Sequence, residues 1–431
     1  MKKFYIIGTL ILALIGLRAI DPFPIESMRL KTFDYFISTL PNIGDENILL
    51  VDIDDDSLQQ LGQWPWPREV FCRLLGPGVT GFSVLFPEED RFGGDKNLAK
   101  CIKKNSVVVS AAASNSASAG KPPHVGTSSI GEDPKPFLFS YKGVLNNVDR
   151  IEKAAIGNGV TSTAPEVDNL VRRLPLVFNI NDTLYPSFGL EVLRAAAGAK
   201  SYALKTNETG IEALRVKGLP PITTDANARV WATWNTQFER ISAKDYAEKA
   251  PDYPIVLLGV TARGASTLVA TPDGLKAPHE IQASAISTLL QGKNIARPDW
   301  ADGAEILALV VILAGIAALA FNLYFSIPAL VVAIVASIGY TSYAFNSSYT
   351  LLDPSYIIFA AFITWAVTSF ISFYTQFKLR QQIKKQFEHY LDPGMVGKLQ
   401  KNPELLKLGG ERKDMTFLFC DIRGFTPISE T

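Results

Sequence analysis

Residues 47–56 read "NILLVDIDDD": an almost unbroken apolar run that ends in the adjacent carboxylates Asp54, Asp55 and Asp56. A run this short, bounded by turn residues and without polar alternation, predicts a strand buried on both faces. "VTGFSVLF" (79–86) and "SVVVSAAA" (106–113) repeat the pattern, and "PREVFCRLL" (67–75) and "DKNLAKCIKKN" (95–105) between them read as helices. Buried strands joined by helical crossovers predict an α/β sheet with parallel strands. Farther along, "YPIVLLGVT" (253–261) reads as another such strand and "EIQASAISTLLQG" (280–292) as the helix after it. Residues 211–234, turned by Pro220-Pro221 and Asp225–Asn227, read as an antiparallel meander, and 111–136, rich in Ser, Ala, Gly and Pro, as a surface loop.

The 431 residues carry 42 basic and 42 acidic side chains, so no global charge points to nucleic acid. Apolar residues are instead concentrated in blocks. Phe4–Leu17 is uncharged between Lys2-Lys3 and Arg18. It reads as an uncleaved signal anchor rather than a cleaved signal peptide, because no small-x-small site follows Leu17 and Arg18 can snorkel at the outer interface. No charge occurs from Ile306 to Leu352, nor from Pro354 to Phe377. A bilayer crossing needs about 20 apolar residues, which predicts spans at roughly 306–325, 327–345 and 355–377, with turns at Ser326–Pro328 and Asn346–Pro354. Lys2 and Lys3 before the first span, and Lys378, Arg380, Lys384 and Lys385 after the last, place both ends in the cytoplasm by the positive-inside rule. Residues 21–303 then lie outside the membrane. Cys72 and Cys101 fall there and could pair, but two cysteines define no framework, and they are read as buried free thiols; Cys420 is read as a cytoplasmic strand residue.

Asp54, Asp55 and Asp56 follow the first strand, and Glu88, Glu89 and Asp90 follow the second. In an open parallel sheet both groups lie at the carboxyl edge, where ligands usually sit, so they form a candidate sensor pocket; the competing interpretation is helix capping and a solvated rim. Trp64-Pro65-Trp66-Pro67-Arg68 reads as a rigid helix entry. His124 and His279 carry no metal-ligand spacing.

"VDIDDDSLQQLGQWPWPREVFCRLL", "GFSVLFPEEDR", "DNLVRRLPLVFNINDTLYPSFGLEVLR" and "LLGVTARGASTLVATPDG" together resemble the CHASE sensor domain, type two, of bacterial membrane signalling proteins, over roughly residues 25–300. The resemblance implies an extracytoplasmic domain with one span before it, three after it, and a cytoplasmic output module, in the bacterial inner membrane. An unknown extracytoplasmic ligand is expected, with membrane lipid and a second copy of the chain as partners.

After the last span, Leu379, Ile383, Phe387 and Tyr390 mark one stripe of a helix that could pair as a coiled coil, and Asp392-Pro393 ends it. "MTFLFCDI" (415–422) reads as a buried strand, Gly424 as a turn and Thr426-Pro427 as a helix start. "LGGERKDMTFLFCDIRGFT" resembles the opening of the class III adenylate and guanylate cyclase catalytic domain, and "FEHYLDPGMVGKLQKNPELLKLGG" that family's transducer linker. The resemblance implies ATP as substrate and two Mg2+ or Mn2+ ions. Asp421 and the Ile422 carbonyl would ligate metal, and the Phe425 and Thr426 amides would meet phosphate. The expectation is therefore an anchor at 1–20, an α/β extracytoplasmic sensor domain at 21–303 and an α-helical transmembrane bundle at 304–377. A transducer linker at 378–408 and a truncated α/β, ferredoxin-like cyclase domain at 409–431 would follow, too incomplete for catalysis. The competing output is a kinase or none, and His389 lacks the acidic and proline neighbours of a phosphoacceptor helix.

Overall fold

The computed structural model describes residues 2–388, apart from 117, 119, 250, 320 and 321, and residues 414–420. Residues 1–368 make one compact unit and 369–431 a second.

The first unit is built on a mixed seven-stranded sheet in which strand Gly44–Ile53 lies between Gln237–Ser242 and Ile255–Val260. Val79–Phe82 and Val107–Ser114 follow in parallel, and Val107–Ser114 then pairs parallel with Gly157–Val160 and antiparallel with Gly143–Leu145. Alternate side chains feed two cores. Ile48, Leu50, Ile255 and Leu257 pack with residues from helices Phe188–Ala196 and Pro278–Leu290. Leu49, Val51, Ile53, Val256 and Leu258 pack on the other face with Trp66, Phe71, Leu98 and Tyr246. Two covered faces explain why these strands show no polar alternation. Trp66 is buried, and its Nε1 donates to the Gly62 carbonyl at 2.6 Å just before helix Arg68–Cys72, as expected of a rigid helix entry.

Three expectations for this domain are corrected. Residues 229–231 leave the meander and pair with Arg173–Pro175, because the Asp225 carboxylate accepts from the amides of Asn227 and Arg229 and turns the chain away. The supposed loop 111–136 extends one strand to Ser114 and contains another, Thr127–Ile130, paired with Tyr202–Asn207; its mostly exposed side chains leave the backbone ladder without an apolar signature. Cys72 and Cys101 form a disulfide rather than two thiols. Helices Arg68–Cys72 and Asp95–Lys104 lie side by side, joined by Arg68–Asp95 at 3.0 Å, and bring the two Cα atoms to 5.7 Å, within bridging range.

Among the described residues, four helices are long and apolar enough to cross a membrane: Lys3–Ile20, Ala301–Leu319, Tyr324–Ser348 and Ser355–Gln386. The turn expected at Ser326–Pro328 lies earlier, because Asn322 caps the third of these helices through the Tyr324 amide and Pro328 is inside it. The last helix, Ser355–Glu388, continues from the apolar run into the basic stretch without a break. Leu379 and Ile383 of the linker stripe are exposed, whereas Tyr390 and the rest of the linker lie outside the described residues. Helix Phe23–Ser38 bridges the two halves: Ile25 packs among the apolar helices, and Leu30, Phe33 and Phe36 pack between Trp231 of the sheet domain and Phe345 and Leu351.

Residues 414–420 take no strand conformation, and Met415, Phe417, Leu418 and Phe419 are exposed. An apolar run becomes a buried strand only with a ladder partner, and among the described residues none pairs with it.

Candidate functional site

The carboxyl edge of the sheet holds the six acidic residues singled out above, but it does not gather them. Asp54 caps helix Asp55–Leu61, accepting from the Ser57 amide at 2.8 Å, and also from the hydroxyls of Ser57 and Ser242. Asp55 accepts from the Arg263 amide at 2.9 Å, and Asp56 pairs with Lys244 at 3.1 Å. In the second group, Asp90 accepts from the Gly94 amide at 2.9 Å, the Glu88 backbone carbonyl accepts from Arg68 at 2.8 Å, and the Glu88 and Glu89 side chains face solvent. A helix cap at Asp54, a turn at Asp90 and contacts from residues 242–263 to Asp54, Asp55 and Asp56 account for the hydrogen bonds of these carboxylates. Among the described residues, no three His, Cys, Asp or Glu side chains could hold a metal ion.

A tighter cluster at the same edge escaped the sequence. Asp52, inside the apolar run, accepts from Arg240 Nε and Nη2 at 2.9 and 3.0 Å and faces His279 Nε2 at 2.9 Å. Arg240 also holds Glu280 at 2.6 Å. Burial pushes the Asp52 carboxyl up, but the His279 and Arg240 donors outweigh it and hold the group below the usual carboxylate range. His279 is fully buried, and its Nδ1 has no hydrogen-bond partner among the described residues. Gly259 makes room for it: a Cβ there would lie 2.0 Å from Nδ1. A lone polar residue in an apolar strand was the available signal.

Helix Phe23–Ser38 is tied to the sheet domain by Arg172, which is almost fully buried and grips Asp34 at 2.7 and 2.8 Å and Asp168 at 2.6 and 2.8 Å. Arg173 makes a similar fork on Glu166 at 2.7 and 2.8 Å. The hydrogen bond from Arg172 holds Asp168 below its ordinary value; at Glu166 burial raises the carboxyl and Arg173, Arg229 and Arg172 more than offset it. Beside Asp34, a cavity of about 210 Å³ is lined by Tyr35, Trp234, Asn235 and Asp273.

At the other end of this helix, charges meet where the apolar helices begin and end. Arg18 does not snorkel; it is 4 % exposed and pairs with Asp302 at 2.9 Å and Glu305 at 2.8 Å. Arg297 reaches the same two carboxylates at 2.6 and 2.8 Å. Glu305 also accepts from the Asp353 amide at 2.7 Å. The first, second and fourth apolar helices are thereby tied together at one level, next to the chain's entry into and exit from the sheet domain.

Family comparison matches residues 9–319 to the CHASE2 domain. The chain belongs to the CHASE2 domain family. A CHASE2 domain is an extracytoplasmic sensor, so this is a membrane-associated signalling receptor, and the match runs over the first and second apolar helices as well as the sheet. No curated protein and no solved structure matches the chain. Within the CHASE2 domain, the blocks quoted from the sequence supply the sheet edge and the Arg172 anchor. Asp421, Ile422, Phe425 and Thr426, expected to serve an output module, lie outside the described residues.

Proposed function

We propose that this chain is the sensing and transmitting part of an inner-membrane receptor that controls a class III nucleotide cyclase, converting ATP to cyclic AMP and pyrophosphate. The observation that carries the cyclase output is the likeness of "LGGERKDMTFLFCDIRGFT" (408–426) to the opening of that catalytic domain. The basic residues at the start of the first apolar helix and in the last turns of the fourth support cytoplasmic ends, with the CHASE2 domain outside. A ligand bound by that domain would act on helix Phe23–Ser38 through Arg172, and the Arg18–Glu305–Arg297 cluster would pass the movement to the spans. Paired linkers in a homodimer would deliver it to the catalytic site.

The Asp421 carboxylate and Ile422 carbonyl are hard oxygen donors of the kind Mg2+ and Mn2+ take. In a two-metal cyclase the ions supply activation of the ribose 3′-hydroxyl and neutralise the departing pyrophosphate. One carboxylate does not complete that donor set, and a second acidic ligand would have to join Asp421. The Phe425 and Thr426 amides would orient the triphosphate.

The test joins residues 1–431 in frame to the remainder of a class III catalytic domain, in a bacterium lacking its own cyclase. Cyclic AMP should accumulate and Asp421→Ala should abolish it; undiminished accumulation in the variant overturns the assignment of Asp421. The purified 431-residue chain with ATP and Mn2+ should form none.

A further inference from the structure

Between the second, third and fourth apolar helices, at the level of the charge cluster, lies a groove of about 240 Å³. Ala304, Ala308, Ile312 and Ala336 contribute apolar or small walls, Ser337 and Thr341 add hydroxyls, and Glu305 and Asp353 supply carboxylates. Trp300 and Tyr340 also line it and are exposed, 55 % and 62 %, the aromatic pair expected at headgroup depth.

Two observations point to an absent cation. The first is charge: Arg18 and Arg297 pair with Asp302 and Glu305, Arg29 pairs with Asp21, and among the described residues no cation pairs with the Asp353 carboxylate, although its backbone amide donates to Glu305. The second is Asp353 itself. It is 1 % exposed; the Ser355 amide and hydroxyl bond one carboxylate oxygen, at 2.9 and 2.5 Å, and the other, Oδ2, has no hydrogen-bond partner among the described residues. A buried carboxylate oxygen without a donor is costly. Burial and the neighbouring Glu305 push the Asp353 carboxyl above its usual range.

We propose that this groove binds a membrane phospholipid with a primary ammonium headgroup, its ammonium on Asp353 and the start of one acyl chain along Ala304, Ala308 and Ile312. The volume suits a headgroup amine and the first part of a chain; drug-sized ligands occupy about 300 Å³ or more. The Trp300 and Tyr340 side chains carry N–H and O–H donors suited to a phosphodiester. The occupant would cross-brace three apolar helices beside the Arg18 cluster, and receptor output would then respond to the lipid composition of the outer leaflet. This inference needs only the membrane location and is independent of which output module follows.

The 431-residue chain is placed in nanodiscs containing equal amounts of phosphatidylethanolamine and phosphatidylglycerol, then released into mild detergent for native mass spectrometry. Retained phosphatidylethanolamine is expected in excess over phosphatidylglycerol. Asp353→Asn should lower its retention about tenfold or more, the loss of one charge-assisted hydrogen bond. Ala336→Phe, at an exposed position of the groove wall, should block binding with Asp353 intact and leave the thermal unfolding of lipid-free protein unchanged. Equal retention of the two lipids, or undiminished phosphatidylethanolamine in both variants, overturns the proposal. A third sample offers dodecylamine alone: its binding where phosphatidylethanolamine fails to bind overturns the assignment to a lipid in favour of a free amine. Extraction with alkaline carbonate, which an integral protein resists, separates loss of the lipid site from loss of membrane location.

Discussion

The acidic edge of the sheet and the charge cluster at the apolar helices use the same side chains in opposite ways. At the edge, Asp54–Asp56 and Glu88–Asp90 are adjacent in sequence yet are distributed over a cap, turn amides and solvent. At the helices, Arg18, Arg297, Glu305 and Asp353 are scattered over more than three hundred positions and meet in one buried group. Proximity along the chain made the first cluster conspicuous and energetically ordinary, because Asp54 and Asp90 find local amides and Asp55 and Asp56 meet partners while still exposed to solvent. In the second, Glu305 and Asp353 are buried and depend on groups from other segments of the chain.

The sharpest way to break this contrast is Glu305→Ala. It removes the carboxylate shared by two arginines, and breaking a buried pair costs about 3–5 kcal/mol, so the melting temperature in detergent should fall by many degrees. Unchanged melting would mean that the cluster is no more cohesive than the edge. Within the sheet domain the largest single restraint is covalent. Cys72 and Cys101 lie 29 residues apart, and a loop of that size gives a stabilisation of about 3.6 kcal/mol. The unfolded, unreduced chain should take up one maleimide, at Cys420, and three after reduction, while reduction of the folded protein lowers its melting temperature.

Acidification should act chiefly through Asp52, Asp168 and Glu166, all held below their ordinary values by arginine partners, with His279 also on Asp52. A carboxyl depressed in the folded state contributes stability above its unfolded value and loses it as pH falls through the folded one. Thermal stability should therefore decline as pH falls below about 4. Glu166→Gln together with Asp168→Asn should flatten that decline. The smallest effects belong to the acidic edge. Asp54→Ala, which removes a helix cap, should cost about 1 kcal/mol, and Asp56→Ala, an exposed partner of Lys244, should leave denaturant midpoints unchanged. A large loss at Asp56 would mean that the edge has a role the hydrogen bonds do not reveal.

The sequence by itself determined the parallel, doubly covered sheet, the four apolar helices and the family, because runs such as "NILLVDI" and the uncharged stretch 306–352 report burial and length directly. It misplaced what depends on partners. The turn before the third apolar helix followed Asn322 rather than Pro328, a strand was hidden in "TSSI", and a disulfide depended on two helices lying side by side. At the candidate sites it pointed to the acids at the sheet edge and not to Asp52, His279 or Arg172. A polar residue inside an apolar strand, or one of many arginines, acquires meaning only when its counterpart is known. Only the tertiary structure decided that Arg18 faces Glu305 instead of the interface, and that Asp353 keeps an unsatisfied oxygen beside an apolar groove. Backbone periodicity is a local property and can be read in order, whereas electrostatic compensation is pairwise and nonlocal, set by which helices the fold brings together.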